Sequence, residues 1–300
     1  MKMVKLQKNF ACKSVSCKSG GFRIDTQPLL CYHNKKIRQP GITRSMPPFQ
    51  RRYPMQKKLN ANHLKLIAIA AMTVDHIADL LFPGFPAHPV ALVMHLIGRL
   101  TAPIMWFFIC EGFHYTGNLA KYLLRMFLFA VISHFAYCFA FGIHFLPFAD
   151  GIFNQTSVIW PLAWAIVGLW IVNTAPKLRT WQKWLLVLAI CLITFPADWS
   201  CIAVMAIIGM YSHRGNLKKQ MGNMMLWVLL YCVVSFFFVD RIYALVQLGV
   251  ILVWPVLRQY NGQKGSARWM KWFFYIYYPA HLLIIGLLRL VMYGNIPLLF

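Results

Sequence analysis

The sequence predicts an all-α membrane protein, a polytopic bundle of about nine (eight to ten) transmembrane helices. Three observations carry that reading. The composition is 59% hydrophobic and 12% charged, against roughly 25% charged in a soluble globular chain. Several apolar runs approach the roughly 20 residues that span a bilayer. An open sheet cannot satisfy its backbone in lipid, so those runs read as helices.

In order, the predicted spans are residues 65–82, 91–110, 121–142, 157–172, 183–196, 199–211, 224–239, 243–257 and 270–292. The segment 199–211 is short enough to be re-entrant or continuous with its neighbour. Residues 1–64 precede them as a basic tail that holds 14 of the 30 Lys and Arg and a single acid, Asp25. The tail is polar and interrupted by Pro40, Pro47, Pro48 and Pro54, so disorder is expected there. The stretch M-Q-K-K-L-N-A-N-H-L-K-L suggests a start at Met55, ahead of a bundle spanning 65–293.

A net charge of +23 would suit a nucleic-acid partner, but its distribution argues against one. The basic residues outside the tail fall mostly in short loops, where Lys and Arg set membrane orientation. Lys121, Arg125, Lys177, Arg179, Lys183, Arg214, Lys218, Lys219, Arg258, Lys264, Arg268 and Lys271 lie on one side, and only Arg241 lies in the opposite loops. This bias predicts a cytoplasmic N-terminus and an outer C-terminus in a multi-pass inner-membrane protein. None of the eight cysteines forms a CxxC pair, so neither a disulfide framework nor a metal site is expected.

Six acids lie outside the tail: Asp75, Asp79, Glu111, Asp150, Asp198 and Asp240. Asp75, His76 and Asp79 sit together inside the first span, where each ionisable group costs a few kcal/mol. Arg99 interrupts the second span and cannot shed its charge, so an anion, a ligand phosphate or a backbone carbonyl must face it. His76 is eleven residues beyond Lys65, about 16 Å along a helix. Arg99, His134 and His281 fall at comparable depths, as a shared site requires. Asp75 and Asp79 share a helix face, as do His95 and Arg99. Pro103 and Pro279 free the carbonyls of Arg99 and Tyr275. Tyr277 and Tyr278, one turn before His281, are placed to orient its ring. Taken singly, His95 or His134 reads equally well as a packing histidine bonded to a neighbouring helix. Asp150, Asp198 and Asp240 read equally well as groups facing outer water.

These residues leave an acyl-transfer enzyme and a proton-coupled transporter about equally open, with a non-catalytic assembly component as a third reading. The segments K-L-I-A-I-A-A-M-T-V-D-H-I (65–77), I-G-R-L-T-A-P-I-M-W-F-F-I-C-E-G-F (97–113) and W-F-F-Y-I-Y-Y-P-A-H-L (272–282) resemble motifs of the TraX family. That resemblance implies a membrane acetyltransferase related to the acyltransferase-3 superfamily, with acetyl-CoA as co-substrate. The implied acceptor is a pilin N-terminus or another envelope molecule such as a glycan. The superfamily often shows an Arg, ten residues and then a His in its first span; Lys65 and His76 keep that spacing, with Lys departing from the Arg.

On that reading His76 is the general base, held by Asp75 or Asp79, because an imidazole titrates near neutral pH. Arg99 pairs with a donor phosphate or stabilises the oxyanion. His281 is a second proton carrier. Lys65, Lys121 and Arg125 receive the coenzyme's phosphates, and Glu111 pairs with one of those bases.

Overall fold

The computed structural model describes residues 58–84, 87–146, 154–175, 177–267 and 269–294, apart from the Lys271 side chain. They lie in one compact unit, residues 47–300. The expectations for residues 1–57 of the tail, for a start at Met55, and for Asp150 and Arg268 fall outside the described residues, while residues 61–64 already belong to the first helix. Among the described residues there is no β-strand, only isolated bridges at Leu59–Tyr260 and Thr156–Ala197.

Helices occupy all nine expected segments. They are α1 (Ala61–Leu81), α2 (Pro89–Gly98), α3 (Thr101–Tyr115), α4 (Leu119–Phe141), α5 (Ile159–Thr174), α6 (Thr180–Thr194), α7 (Ser200–Ser212), α8 (Leu217–Phe238), α9 (Arg241–Gln247), α10 (Val253–Arg258) and α11 (Met270–Tyr293). Among the described residues, five stretches are long and apolar enough to cross a membrane: Pro89–Tyr115, Leu119–Phe141, Leu217–Phe238, Arg241–Arg258 and Trp272–Tyr293. Their outward faces carry exposed Leu124, Leu128, Val131, Leu229, Val233 and Leu287. Apolar side chains in such numbers on a surface match hydrocarbon rather than water. The chain is a multi-pass membrane protein.

Polar side chains start four of the helices. Asn60, Asn118, Asn216 and Asp240 each accept a backbone N–H from the first turn of the helix that follows. Each replaces a partner that the first turn lacks. Two of the expected spans are broken. Pro103 has no N–H to give the Arg99 carbonyl, and the second span parts into α2 and α3 at Arg99 and Leu100. Pro255 likewise cannot bond the Ile251 carbonyl, and a 3₁₀ turn over Leu248–Leu252 separates α9 from α10. The expected span 243–257 is therefore not one continuous helix. The short segment 199–211 becomes α7, a separate helix entered through Trp199 and Ser200, both at positive φ (62° and 48°).

The core is packed from α5 and α7, which bury Leu162, Ile166, Leu169, Ile207 and Met210. Small residues let their backbones approach: Ala163, Ala165, Ala203 and Ala206 are wholly buried. Without a hydrophobic drive between helices in lipid, such close packing is the main cohesive term.

Contacts between turns define the two ends of the bundle. Leu59 pairs with the 259–261 segment, giving Leu59 N–H to Gln259 O at 3.0 Å and Asn261 N–H to Leu59 O at 2.9 Å. Glu111 near the end of α3 meets Arg214 before α8. At the other end the Asp198 N–H donates to Thr156 O at 2.9 Å, and the Tyr293 hydroxyl donates to Leu80 O at 2.8 Å. The loops rich in Lys and Arg gather at the first end, and Asp198 and Asp240 at the second.

Candidate active site

The break between α2 and α3 is where charge enters the bundle. Arg99 caps α2 and turns its side chain inward. Its Nε donates to His95 O at 3.2 Å, and Nη1 donates to Gln247 Oε1 at 3.0 Å. Nη2 donates to both carboxylate oxygens of Asp75, each at 2.9 Å. The Trp199 ring covers the guanidinium with its centroid 5.9 Å from Cζ. Asp75 Oδ1 also accepts from His95 Nδ1 at 2.9 Å, which leaves His95 Nε2 facing Asp79 Oδ1 at 3.9 Å. Gly98 makes room for this pairing, because a Cβ there would overlap the Asp75 carboxylate. Asp198 and Tyr243 lie within electrostatic range of Arg99.

His76 follows Asp75 but projects about 100° further round the helix, and its partners differ. Its Nδ1 lies 3.1 Å from His281 Nε2, and the two rings stack with centroids 5.0 Å apart. The expectation that Asp75 or Asp79 holds His76 is corrected. Among the described residues His76 bonds to His281, while Asp75 is engaged by Arg99 and His95.

The tautomers of the pair follow from one fixed acceptor. His281 Nδ1 lies 3.0 Å from the Tyr277 carbonyl, which only accepts, so this nitrogen carries the proton. In a neutral His281, Nε2 is then the bare nitrogen and accepts the Nδ1–H of His76. His76 in turn keeps an unprotonated Nε2. Two neutral imidazoles in series thus present one lone pair at the His76 end.

Both expected tyrosines serve this arrangement. The Tyr277 ring stacks on His281 at 5.2 Å and 10°. Its hydroxyl is 2.7 Å from Thr73 Oγ1, which donates to Ile69 O at 2.8 Å, so Tyr277 is the donor to Thr73. Tyr278 meets His281 edge-on at 5.6 Å, and Phe141 closes over His76 at 5.6 Å.

The cluster is not at the middle of α1. His76 is five residues from Leu81 and fifteen from Ala61, about 7.5 Å and 22 Å along the axis. It sits in the half of α1 away from the basic end, because Asn60 starts the helix four residues before Lys65.

Lys65, Lys121, Arg125 and Glu111 lie toward the basic end. Lys65 Nζ stands 5.6 Å from the Phe108 ring centroid. Lys121 and Arg125 flank a groove of about 540 Å³ with Thr116, Gly117, Asn118 and Leu124 at the start of α4. Glu111 was expected to pair with Lys65, Lys121 or Arg125. It instead accepts from Arg214 Nε at 2.8 Å and Nη2 at 3.2 Å. His134 bonds Thr156 Oγ1 at 2.9 Å and Phe145 O at 3.1 Å, as a packing histidine does.

Sequence reasoning did not single out Gln247 or Trp199 and left Asp198 undecided. Gln247 was detectable as the lone amide in an apolar span. Trp199 was not, since a Trp beside a turn looks like any interfacial aromatic.

A family model described as TraX protein matches residues 60–289. The chain belongs to the TraX family. All of the polar cluster above lies inside the matched region. Over 233 residues the chain is 30% identical to "Probable fimbrial assembly protein FimC, serogroup H1" of Dichelobacter nodosus, a match covering 75% of this chain and 94% of that protein. No solved structure matches the chain.

Proposed function

We propose that this TraX family member is a membrane acetyltransferase of the pilus or conjugation machinery, moving an acetyl group from acetyl-CoA to an amine or hydroxyl of an envelope acceptor. The carrying observation is the His281–His76 series, which leaves one imidazole lone pair on a partly buried helix face. A nucleophile attacking a thioester must lose a proton as the new bond forms, and an imidazole is suited to take it near neutral pH. The fimbrial-assembly relative supports a pilus-related acceptor.

The roles follow from the contacts. His76 Nε2 removes the acceptor's proton as the acceptor bonds to the acetyl carbon. The resulting imidazolium shares its charge with His281 through the 3.1 Å bond. His76 then returns the proton to the departing thiolate, so the pair ends neutral. Asp75 keeps Arg99 and His95 in place rather than acting on the proton. Acetyl-CoA supplies the activated acyl group, and its phosphates suit the groove flanked by Lys121 and Arg125, whose charge attracts anions. Lys65 adds a further positive charge toward that end. In this reading the basic end faces the cytoplasm of an inner membrane, and the cluster near Leu81 is approached by the acceptor from outside.

The test is transfer of labelled acetyl from acetyl-CoA in membranes bearing His76→Ala or His281→Ala. Both variants are expected to insert normally and to lose transfer, and a fully active His76→Ala protein refutes the assignment. Comparing acetylated envelope species between wild type and a deletion strain identifies the acceptor. A second reading, proton-coupled transport, draws on the Asp75–His95–Asp79 string. It predicts proton flux in proteoliposomes without acetyl-CoA.

A further inference from the structure

One buried donor in the cluster has no acceptor. Gln247 is wholly inaccessible to solvent, and among the described residues nothing accepts a hydrogen bond from its Nε2. The amide orientation is not arbitrary. Arg99 has only donors, so the Gln247 atom 3.0 Å from Nη1 must be the oxygen, and the two N–H bonds of Nε2 must point elsewhere. Rotating the amide would set donor against donor. Nη1 of Arg99 also has a second hydrogen that no bond among the described residues uses. A buried donor left unpaired is costly, and native proteins leave few of them.

The backbone around this amide is shaped to hold it there. Gln247 ends α9, and the 3₁₀ turn that follows brings Gly249 against α2. A Cβ on Gly249 would run into the Leu96 side chain and reach 3.4 Å from Arg99 Cβ. This close approach holds Gln247 beside the guanidinium. Arg99 in turn lies within electrostatic range of His76.

We propose that Gln247 Nε2, with the remaining Nη1 hydrogen of Arg99, is a donor subsite for an acyl carbonyl oxygen. This deepens the acetyl-transfer reading and rests on it. In this proposal Asp75 neutralises Arg99, and the carbonyl oxygen, on which negative charge grows during attack, sits on the two unused donors. Donors fixed before the reaction act most strongly on such charge. The subsite takes a neutral carbonyl and stabilises its developing oxyanion, with His76 handling the proton.

The test uses the full-length protein in nanodiscs, acetyl-CoA labelled with ¹³C at the carbonyl, and unlabelled CoA as control. In wild type the infrared band of the bound carbonyl is expected to move to lower frequency than in water. Gln247→Glu keeps an oxygen for Arg99 but removes the N–H donors, when studied at alkaline pH where the glutamate is ionised. It is expected to retain CoA binding, to abolish the band shift, and to lower kcat by about 10²–10³-fold, as for other lost oxyanion donors. A role limited to holding Arg99 predicts that Gln247→Glu transfers normally, and that result overturns the subsite. So does a wild-type carbonyl band unshifted from water in a protein that transfers acetyl, which needs no variant to fold and would indicate a buried water on Nε2. If wild type neither binds acetyl-CoA nor transfers, the acetyl-transfer reading fails first and takes the subsite with it.

Discussion

Replacing Asp75 by Asn tests the electrostatic reasoning most directly. The Asp75 and Arg99 side chains are 17% and 9% exposed, so neither charge can turn to water for compensation. Asp75 accepts two bonds from Arg99 and one from His95. Asn keeps the volume and one acceptor oxygen but leaves the guanidinium unneutralised. Removing one partner of a buried ion pair costs about 3–5 kcal/mol, because the other charge stays buried alone. Arg99→Met strands Asp75 and should cost a similar amount. The double variant Asp75→Asn/Arg99→Met removes both charges. Apolar replacement of a whole buried pair is often neutral or stabilising by about 1–4 kcal/mol. The cycle should therefore show a coupling of several kcal/mol, far above the roughly 0.3–0.5 kcal/mol scatter of independent sites. Denaturant or thermal unfolding of purified protein in one detergent gives the four stabilities. All three variants are expected to lose acetyl transfer, including the stable double variant, which separates the pair's chemical task from its structural one. Single variants that unfold within about 0.5 kcal/mol of wild type would refute the argument, since that is the range of ordinary surface changes.

Further predictions follow from other contacts. Gly98→Ala places a methyl on the Asp75 carboxylate and should destabilise by about 1–3 kcal/mol, as overpacking does; activity should fall with it, while Gly222→Ala, where a Cβ meets nothing within 4 Å, should be neutral in both assays. Exchanging Glu111→Arg and Arg214→Glu together should restore membrane levels lost in either single variant, because the 2.8 Å contact is an ion pair, and a double exchange no better than the singles removes the pair from the account. Lys121→Ala/Arg125→Ala should raise KM for acetyl-CoA about 5–30-fold, the ratio that corresponds to one or two kcal/mol, with kcat little changed. Wild-type KM should rise with salt as the groove is screened, and the double variant should lose that dependence.

The fold was legible to the extent that single residues determine it. Apolar runs placed the helices, and Pro103 showed that the Arg99 carbonyl is freed because a missing N–H is a local fact, although 91–110 was expected as one span. Pro255 carried the same local information about the Ile251 carbonyl and was not used. The polar cluster was legible as an inventory rather than as an arrangement. Asp75, His76, Arg99 and His281 stood out because ionisable groups are costly in an apolar span. Their partners depended on helix rotation. Asp75 and His76 are neighbours in sequence and face different helices, which no composition or depth estimate reveals. Glu111 and Arg214 are 103 positions apart, and only packing brought them together. Gln247 was overlooked because an amide carries no charge and so raised no electrostatic alarm, although its burial makes the same demand for a partner.

The placement of the Asp75–Arg99 pair argues for function over stability. A buried ion pair gains little net stability over an apolar replacement, since the cost of leaving water consumes the attraction. This one also sits where the helix is weakest, at the α2–α3 break, and requires Gly98 to admit it. Packing alone would favour a leucine at each position and an uninterrupted helix. What the pair does provide is a guanidinium held by four bonds to Asp75, Gln247 and the His95 carbonyl, with nothing left to reorganise when charge appears beside it. That is the property a site for developing negative charge needs, because donors that must first reorient stabilise it less. In the proposed reading the His76–His281 series on the neighbouring face of α1 supplies the complementary function of handling the proton. On that proposal two adjacent residues, Asp75 and His76, divide a single turn of helix between fixing a charge and moving a proton.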